Sequence, residues 1–375
     1  MPTAPLFDEI HSRALDVERF EDGLAKKVRA IMLELEADIR DALSRLEVSG
    51  QYSFRRARLE ALLQQLGQSL GEAYAKVEAV SEDALRELAR TEVAFSNRSL
   101  HAAFGRAASL VSVNSVAISP ELITRLATAT GLSFGKSLAS QPLRDWLAEQ
   151  SSAVRAALLS EVRRGVLAGE SIDRIVARVS GTPAAEGVLS NAKTWAEAVV
   201  RTAVNGVSNS ARMEVYGANS ATVKGVYQVT TRDARTSVIC IAYAGRRWLR
   251  KSRRYIPDGH SLPFRNGCPR HICCRSVILP WLKSWKEMGL DRSEVPRELW
   301  SAFDGKVPPG LDGASILRIK GAAVAQRILG PTRYKLWRSG ALSLDDLLDS
   351  RGMVLTLDEL VSSGAITAKQ LASAG

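Results

Sequence analysis

Between residues 5 and 48 apolar side chains return every three or four positions: Phe20, Leu24, Val28, Ile31, Leu35, Ile39, Leu43 and Leu46. That spacing predicts one long amphipathic helix. The stretch SGQYS, residues 49–53, breaks the pattern with Ser49 and Gly50. A second stripe follows in Leu59, Leu62, Leu66, Leu70, Ala73 and Val77. Two long helices joined by a short turn predict a helical hairpin, which serves either as the core of a bundle or as an oligomerisation arm. Helical periodicity continues to about residue 218. Ser119-Pro120 reads as a cap with Pro at the first helical position. GESIDRIVARVSG, residues 169–181, reads as a short helix between glycines, and residues 190–219 as a longer one. The latter turns Trp195, Ala198, Val199, Thr202 and Val207 inward and ends near Gly217.

The period then changes. VKGVYQVTT, residues 223–231, is β-branched and aromatic, which predicts a strand. Loops and short strands follow to about 280, and CRSVILP, residues 274–280, predicts a closing strand stopped by Pro280. After Trp281 the pattern is helical again. SILRIKGAAVAQRIL, residues 315–329, predicts one helix stopped by Gly330-Pro331, and FDGKVPPGLDG, residues 303–313, a loop before it. TLDE (356–359) and TAKQ (367–370) carry capping-box spacing. A chain of 375 residues is too long for one simple core, and two or three domains are expected. The expected fold is mainly α with a small α+β module: a helical hairpin over 1–110, a helical domain over 111–220, a compact strand-loop module over 221–283, and a short helical tail over 284–375.

Charge singles out the third of these segments. The whole chain carries a formal net charge of +11. Residues 232–283 alone hold twelve Lys/Arg against two carboxylates, Asp233 and Asp258, so nearly all of the excess sits there. An acidic partner is expected for it, nucleic acid first. RRWLRKSRRY, residues 246–255, is the densest run. Arg246, Arg247, Arg250, Lys251, Arg253 and Arg254 suit phosphates, and Trp248 suits base stacking or support of the arginine stems. A solvated basic loop, or a patch for an acidic protein surface, fits the same residues. No recognition-helix motif is present, so binding to double-stranded DNA would be non-specific. The N-terminal residues lack the basic start and apolar core of a signal peptide, and no run reaches the ~18 apolar residues of a membrane span. A protein made in a cytoplasm, with no membrane span, is expected.

The same segment holds all four cysteines. Cys268-x2-His271-x2-Cys274 spaces two thiolates and an imidazole so that a tight turn can converge them. Cys240, just past the predicted strand, could supply a fourth ligand and complete a Cys3His structural zinc set. Cys273, adjacent to Cys274, points elsewhere and is a spare. Buried thiols packing a small loop-rich core are one alternative, and redox chemistry, for which no CxxC is present, is another. His260, Asn266 and His271 occur in the order of a metal-dependent nuclease. The gaps are too short for the hairpin and helix such a site needs. No nucleophile elbow, zinc-protease helix or phosphate-binding glycine loop is present, and no catalytic residue is assigned. Asp233 can close an Asx-turn on Arg235 or Thr236, and Arg235 can clamp a carboxylate across the module.

One ordered set of residues resembles a known family. Arg201-Thr202, Asn209, Ala211-Arg212 and Tyr216 lie on the predicted helix; Asp233-x-Arg235-Thr236, Cys240 and Gly245 follow the strand; His271-x-x-Cys274-Arg275 precedes SVILP. Over roughly residues 140–280 the chain resembles the phage Mu F-like minor head proteins, also described as phage head morphogenesis proteins. Ser237 and Ser276 stand where that family often has cysteines. The resemblance implies a non-enzymatic minor capsid component of a tailed-phage virion, made in the host bacterial cytoplasm. Its implied partners are portal and major capsid or scaffold proteins, with packaged DNA alongside. It also implies structural roles for Arg201, Thr202, Asp233, Arg235, Thr236 and Arg275. The rival expectation is a metal-dependent nuclease or DNA-processing enzyme using the His/Cys cluster.

Overall fold

The computed structural model describes residues 3–45, 52–128, 141–291, 293–297 and 305–375. The predicted break at Ser49 and Gly50, and the first two residues of the 303–313 loop, lie outside them. Helix α1 (Thr3–Ser44) and helix α2 (Tyr52–Phe104) run antiparallel, and Arg13 Nε meets Glu92 Oε1 at 2.6 Å. At 1.5 Å per residue they are about 60 and 80 Å long. The predicted stripes are their buried faces: Leu24, Val28, Leu35, Ile39, Leu43, Leu66, Leu70 and Val77 are all buried.

Helix α3 (Pro120–Thr128) begins at the predicted Pro, with Leu122 N–H donating to Ser119 Oγ. Helices α4 (Leu143–Leu167) and α5 (Ile172–Ser180) follow; a two-residue ladder of β1 (Gly181–Thr182) and β2 (Ala185–Glu186) leads into α6 (Val188–Ala218). Helix α6 packs against α1, α2 and α4. Arg29 binds Glu197 through two hydrogen bonds (2.8 and 3.0 Å), and Arg201 Nη1 reaches Glu21 (2.9 Å) and Asp22 (2.6 Å). The N-terminal hairpin is therefore part of a bundle core. Trp195, expected inward, is half exposed, while Val199, Thr202 and Val207 of the same expected stripe are buried and Ala192, Ala196 and Ala203 join them.

At the heart of the bundle lies a buried ion cluster. Glu92 accepts from Arg13 Nε at Oε1 and from Ser208 Oγ at Oε2 (2.8 Å), and Arg212 Nη2 lies 2.8 Å from Oε2 at ion-pair distance, without hydrogen-bond alignment. Glu92 and Arg212 are essentially inaccessible to water.

The second part of the chain is a four-stranded antiparallel sheet ordered β5-β4-β3-β6. Its strands are β3 (Val223–Val229), β4 (Arg247–Lys251), β5 (Arg254–Asp258) and β6 (Val277–Leu282), and a short helix, α7 (Val238–Tyr243), connects β3 to β4. Strand β6 does not stop at Pro280; it runs through it, with Pro280 opposite Val226. Strand β6 is an edge strand, and an edge tolerates a residue with no N–H to give. Trp248 fills the centre of the module and donates from its indole N–H to Leu262 O at 2.9 Å. Gly225 is required beside it, since a Cβ there would meet Trp248 O at 2.2 Å.

The tail is a compact set of short helices: α8 (Gly313–Lys320), α9 (Ala322–Leu329), α10 (Pro331–Arg338), α11 (Leu357–Ser362) and α12 (Ala368–Ala374). The single helix expected over 315–329 is divided by Gly321, whose φ of +82° ends one helix and begins the next. Pro331 opens α10 rather than only ending what precedes it. Both predicted capping boxes form, at Thr356/Glu359 and Thr367/Gln370. The tail docks on α7: Gly245 (φ +72°) passes so close to Asp312 that a Cβ would lie 2.9 Å from its backbone N. Twelve α-helices are present among the described residues, and none is long and apolar enough to cross a membrane.

Candidate functional site

Strand β3 delivers the chain to Thr230, and a turn closed by Asp233 reverses it. Asp233 Oδ1 accepts the Arg235 N–H at 2.9 Å, the predicted Asx-turn. Thr236 Oγ1 donates to Thr231 O at 2.7 Å. Ser237 then caps α7, accepting the Cys240 N–H at 3.1 Å, and so fixes Cys240 in the first turn. Opposite it, the chain turns sharply from His271 to Cys274, with Cys274 N–H donating to His271 O at 3.2 Å. Cys273 takes the left-handed conformation in this turn (φ +55°), and its N–H donates to Thr202 Oγ1 on α6 at 2.9 Å. Its exposed side chain points away from the other thiols, as adjacency to Cys274 predicts.

These two segments bring Cys240, His271 and Cys274 together, every ligand atom within 4.8 Å of the others. The Sγ atoms are 3.7 Å apart, and His271 Nε2 is 3.1 Å from Cys240 Sγ. A zinc–sulfur bond of about 2.3 Å gives a tetrahedral S···S edge of about 3.8 Å, so the thiol pair already has the required spacing. His271 Nδ1 donates to Ile272 O at 2.7 Å, which assigns the proton to Nδ1 and leaves Nε2 facing the thiols. The group could hold a metal ion. Cys268, the fourth residue of the expected set, is buried beside Cys274 but lies outside this mutual group.

The cluster is electrostatically uneven. Burial opposes the Cys274 thiolate, but hydrogen bonds from Cys240, Cys268 and His271 outweigh it and hold that thiol well below its ordinary range. Cys240 is pushed up by its hydrogen bond to Cys274 and by burial, and Cys268 by burial first. Burial pulls His271 down, yet the neighbouring Cys274 thiolate raises it overall. Negative charge in the cluster is thus favoured on Cys274 over Cys240 and Cys268.

The residues shared with the head-protein pattern form the wiring of this site. Arg275 binds Asp233 through two bonds of 2.7 Å, holding the cysteine turn against the Asx-turn. That clamp had been expected from Arg235, which is exposed and reaches only Asp233 in its own turn. Thr202 tethers the cysteine turn, and Arg201 ties α6 to α1. Asn209 Oδ1 accepts the Ile278 N–H at 2.8 Å, and Asn205 Nδ2 donates to Ser276 O at 3.1 Å, docking β6 on α6. Ser276 sits 3.1 Å from Thr230 Oγ1, and together with Ser237 it hydrogen-bonds around Cys240. Both serines at the family's cysteine positions therefore line the cluster.

The basic run divides into two groups. Arg246 pairs with Asp345 of the tail and donates to Ala242 O. Arg247 pairs with Asp258 at 2.8 Å and lies 4.8 Å over the Trp281 ring. Trp248 is core and cannot stack on a base, which corrects the sequence expectation. Arg250, Lys251, Arg253 and Arg254 surround the tip of the β4–β5 hairpin, whose two-residue turn places Ser252 at φ +55°. None of these four has an ion pair with a described residue, and all but Arg250 are exposed. His260 donates from Nε2 to Arg247 O (2.8 Å) and accepts Leu262 N–H at Nδ1 (3.1 Å), so both its nitrogens serve the fold. His260 does not belong to the metal-capable group.

Charge counting includes Arg270 but does not set it apart. It is buried, with its guanidinium 3.9 Å over the Tyr243 ring and 5.3 Å from that of Trp248, and Nε donates to Gln228 Oε1 at 3.0 Å. Only the density of nearby aromatics hints at such a cation–π core. No protein-family model, curated protein or solved structure matches the chain.

Proposed function

We propose that this chain is a structural minor head protein of a tailed phage. On this reading the helical bundle docks on portal and capsid or scaffold subunits, and the sheet module faces packaged DNA. One zinc ion on Cys240, His271 and Cys274 locks the module, with Cys268 the nearest further thiol. The observation that carries the reading is the hairpin tip: four cations, none ion-paired with a described residue, cluster at the end of one hairpin, while Arg246, Arg247 and Arg275 of the same module are paired internally. Non-specific duplex binding needs such a cluster of free cations and no base-reading element. The shared motif residues support it too, since Arg201, Thr202, Asp233 and Arg275 make fold-holding contacts. Zinc would supply a rigid cross-link; Ser237 holds the backbone of its ligand Cys240, and Thr202 holds that of Cys273, next to the ligand Cys274.

The test is duplex retention across a salt series. Charge reversal of Arg250, Lys251, Arg253 and Arg254 should abolish most binding and flatten the salt dependence, since each lost phosphate contact lowers the log–log slope by about 0.9. Unchanged retention in a folded variant would refute a DNA-facing hairpin.

A further inference from the structure

Beside the hairpin lies an open groove of about 640 Å³ between edge strand β5 and helices α3 and α6. Its cationic lining is Arg125, Arg253, Arg254 and Arg265. Arg125 is neutralised by Glu214, 2.7 Å away on α6 and the one carboxylate in the lining. The other three arginines have no ion pair with a described residue. The floor is apolar: the Tyr255 ring leans on Phe264 with centroids 4.5 Å apart, and Leu126 and Met213 flank them.

Arg265 is the unusual member. It and Asn266 take left-handed backbone conformations in succession (φ +49° and +61°), which non-glycine residues rarely adopt. That turn sets Arg265 half-buried in the groove wall, where Nη1 has the Met353 thioether at 3.4 Å as its acceptor. A thioether is a weak acceptor and carries no charge. Burial and the nearby Arg270 guanidinium both disfavour the charge of Arg265. A fork of donors is thus held in place, partly desolvated; Asp349 acts on it only through its field, and no described carboxylate pairs with it directly. A guanidinium so placed fits the bidentate geometry of a phosphate.

We infer that this groove seats the phosphate backbone of one DNA strand, with Arg265 as its inner phosphate anchor and Arg253 and Arg254 as its outer contacts. This rests on the DNA-facing reading of the hairpin and extends it from a charged tip to a defined channel. Nucleic acid is favoured over an acidic protein segment because the groove runs on from the free cations of the hairpin tip. The outer position of β5 in the sheet also leaves backbone donors on that side for further phosphate oxygens.

The experiment measures binding of the full chain to a mixed-sequence duplex over a salt series, with melting temperature as a folding control. Arg265→Ala should weaken binding about tenfold for every sequence and reduce the salt slope by about 0.9. Arg265→Lys should keep the slope and remain severalfold weaker, because a point charge replaces the fork. Should Arg265→Ala fail to fold, the lysine variant decides: wild-type affinity overturns the inference. If R253E/R254E abolishes binding while Arg265→Ala matches wild type in affinity and slope, the channel is wrong and the hairpin reading stands. If R253E/R254E also binds like wild type, both fall. Displacement of the duplex by polyglutamate at equal charge concentration would overturn the nucleic-acid assignment in favour of an acidic protein.

Discussion

Substitution of Glu92 by Ala should be among the most damaging single changes outside the sheet module. Glu92 faces Arg212, Arg13 and Ser208 with its carboxylate shielded from water. Arg13 is a quarter exposed and can turn to solvent, and the Ser208 hydroxyl can reorient. Arg212 can do neither, since its side chain is only 1% exposed and its Nε has no hydrogen-bond partner. Removing the carboxylate therefore strands a buried guanidinium, a loss of about 3–5 kcal/mol. Against a total stability of about 5–15 kcal/mol this is a large fraction. A denaturant titration followed by circular dichroism reads it as a lower midpoint with unchanged slope. The double variant Glu92→Leu/Arg212→Met should recover most of the loss, because a well-packed apolar pair needs no counter-charge. A cost below about 1 kcal/mol for Glu92→Ala, or a double variant worse than the single, would refute the idea that the cluster is a desolvated ion network.

Three further outcomes are expected. Burial lifts Glu21 to about 7 despite its contact with Arg201, so its contribution is complete below the ordinary carboxylate range and is lost as pH rises through about 7. Melting curves should show stability falling from pH 5 to 8 by up to about 3 kcal/mol, and Glu21→Gln should remove that slope. Asp233 is held at about 2, chiefly by its hydrogen bonds from Arg275, so its contribution is present at neutral pH and is lost as pH falls towards 2. Because Asp233 is more than a third exposed, Arg275→Ala should cost only about 1 kcal/mol at pH 7 and should flatten the acid limb of the profile. Freshly reduced protein should carry about one zinc per chain by elemental analysis, and Cys274→Ser should lose it along with several degrees of melting temperature; metal-free wild type would remove zinc from the account.

The long helices were legible because burial repeats every three to four residues along them, and the capping boxes because their chemistry is local. What misled was tertiary. Gly321 reads as an ordinary helix interruption until its positive φ divides the segment in two. Pro280 reads as a stop because sequence does not reveal that β6 is an edge strand. Trp248 stands among six cations and reads as a stacking residue, yet strand alternation sends it inward while its neighbours Arg247 and Leu249 face the other side and remain partly exposed. In the metal-capable group, Cys240, His271 and Cys274 were readable from residue type and spacing. The departure of Cys268 from the mutual set, and the clamp from Arg275 rather than Arg235, depend on turn geometry that spacing does not encode.

A structural head role is tested most directly by the protein content of purified, DNA-filled particles produced from the genome that encodes this chain. Quantitative mass spectrometry should find its peptides in intact heads at a fixed ratio to the portal protein. Their absence from heads that contain portal and DNA would contradict it.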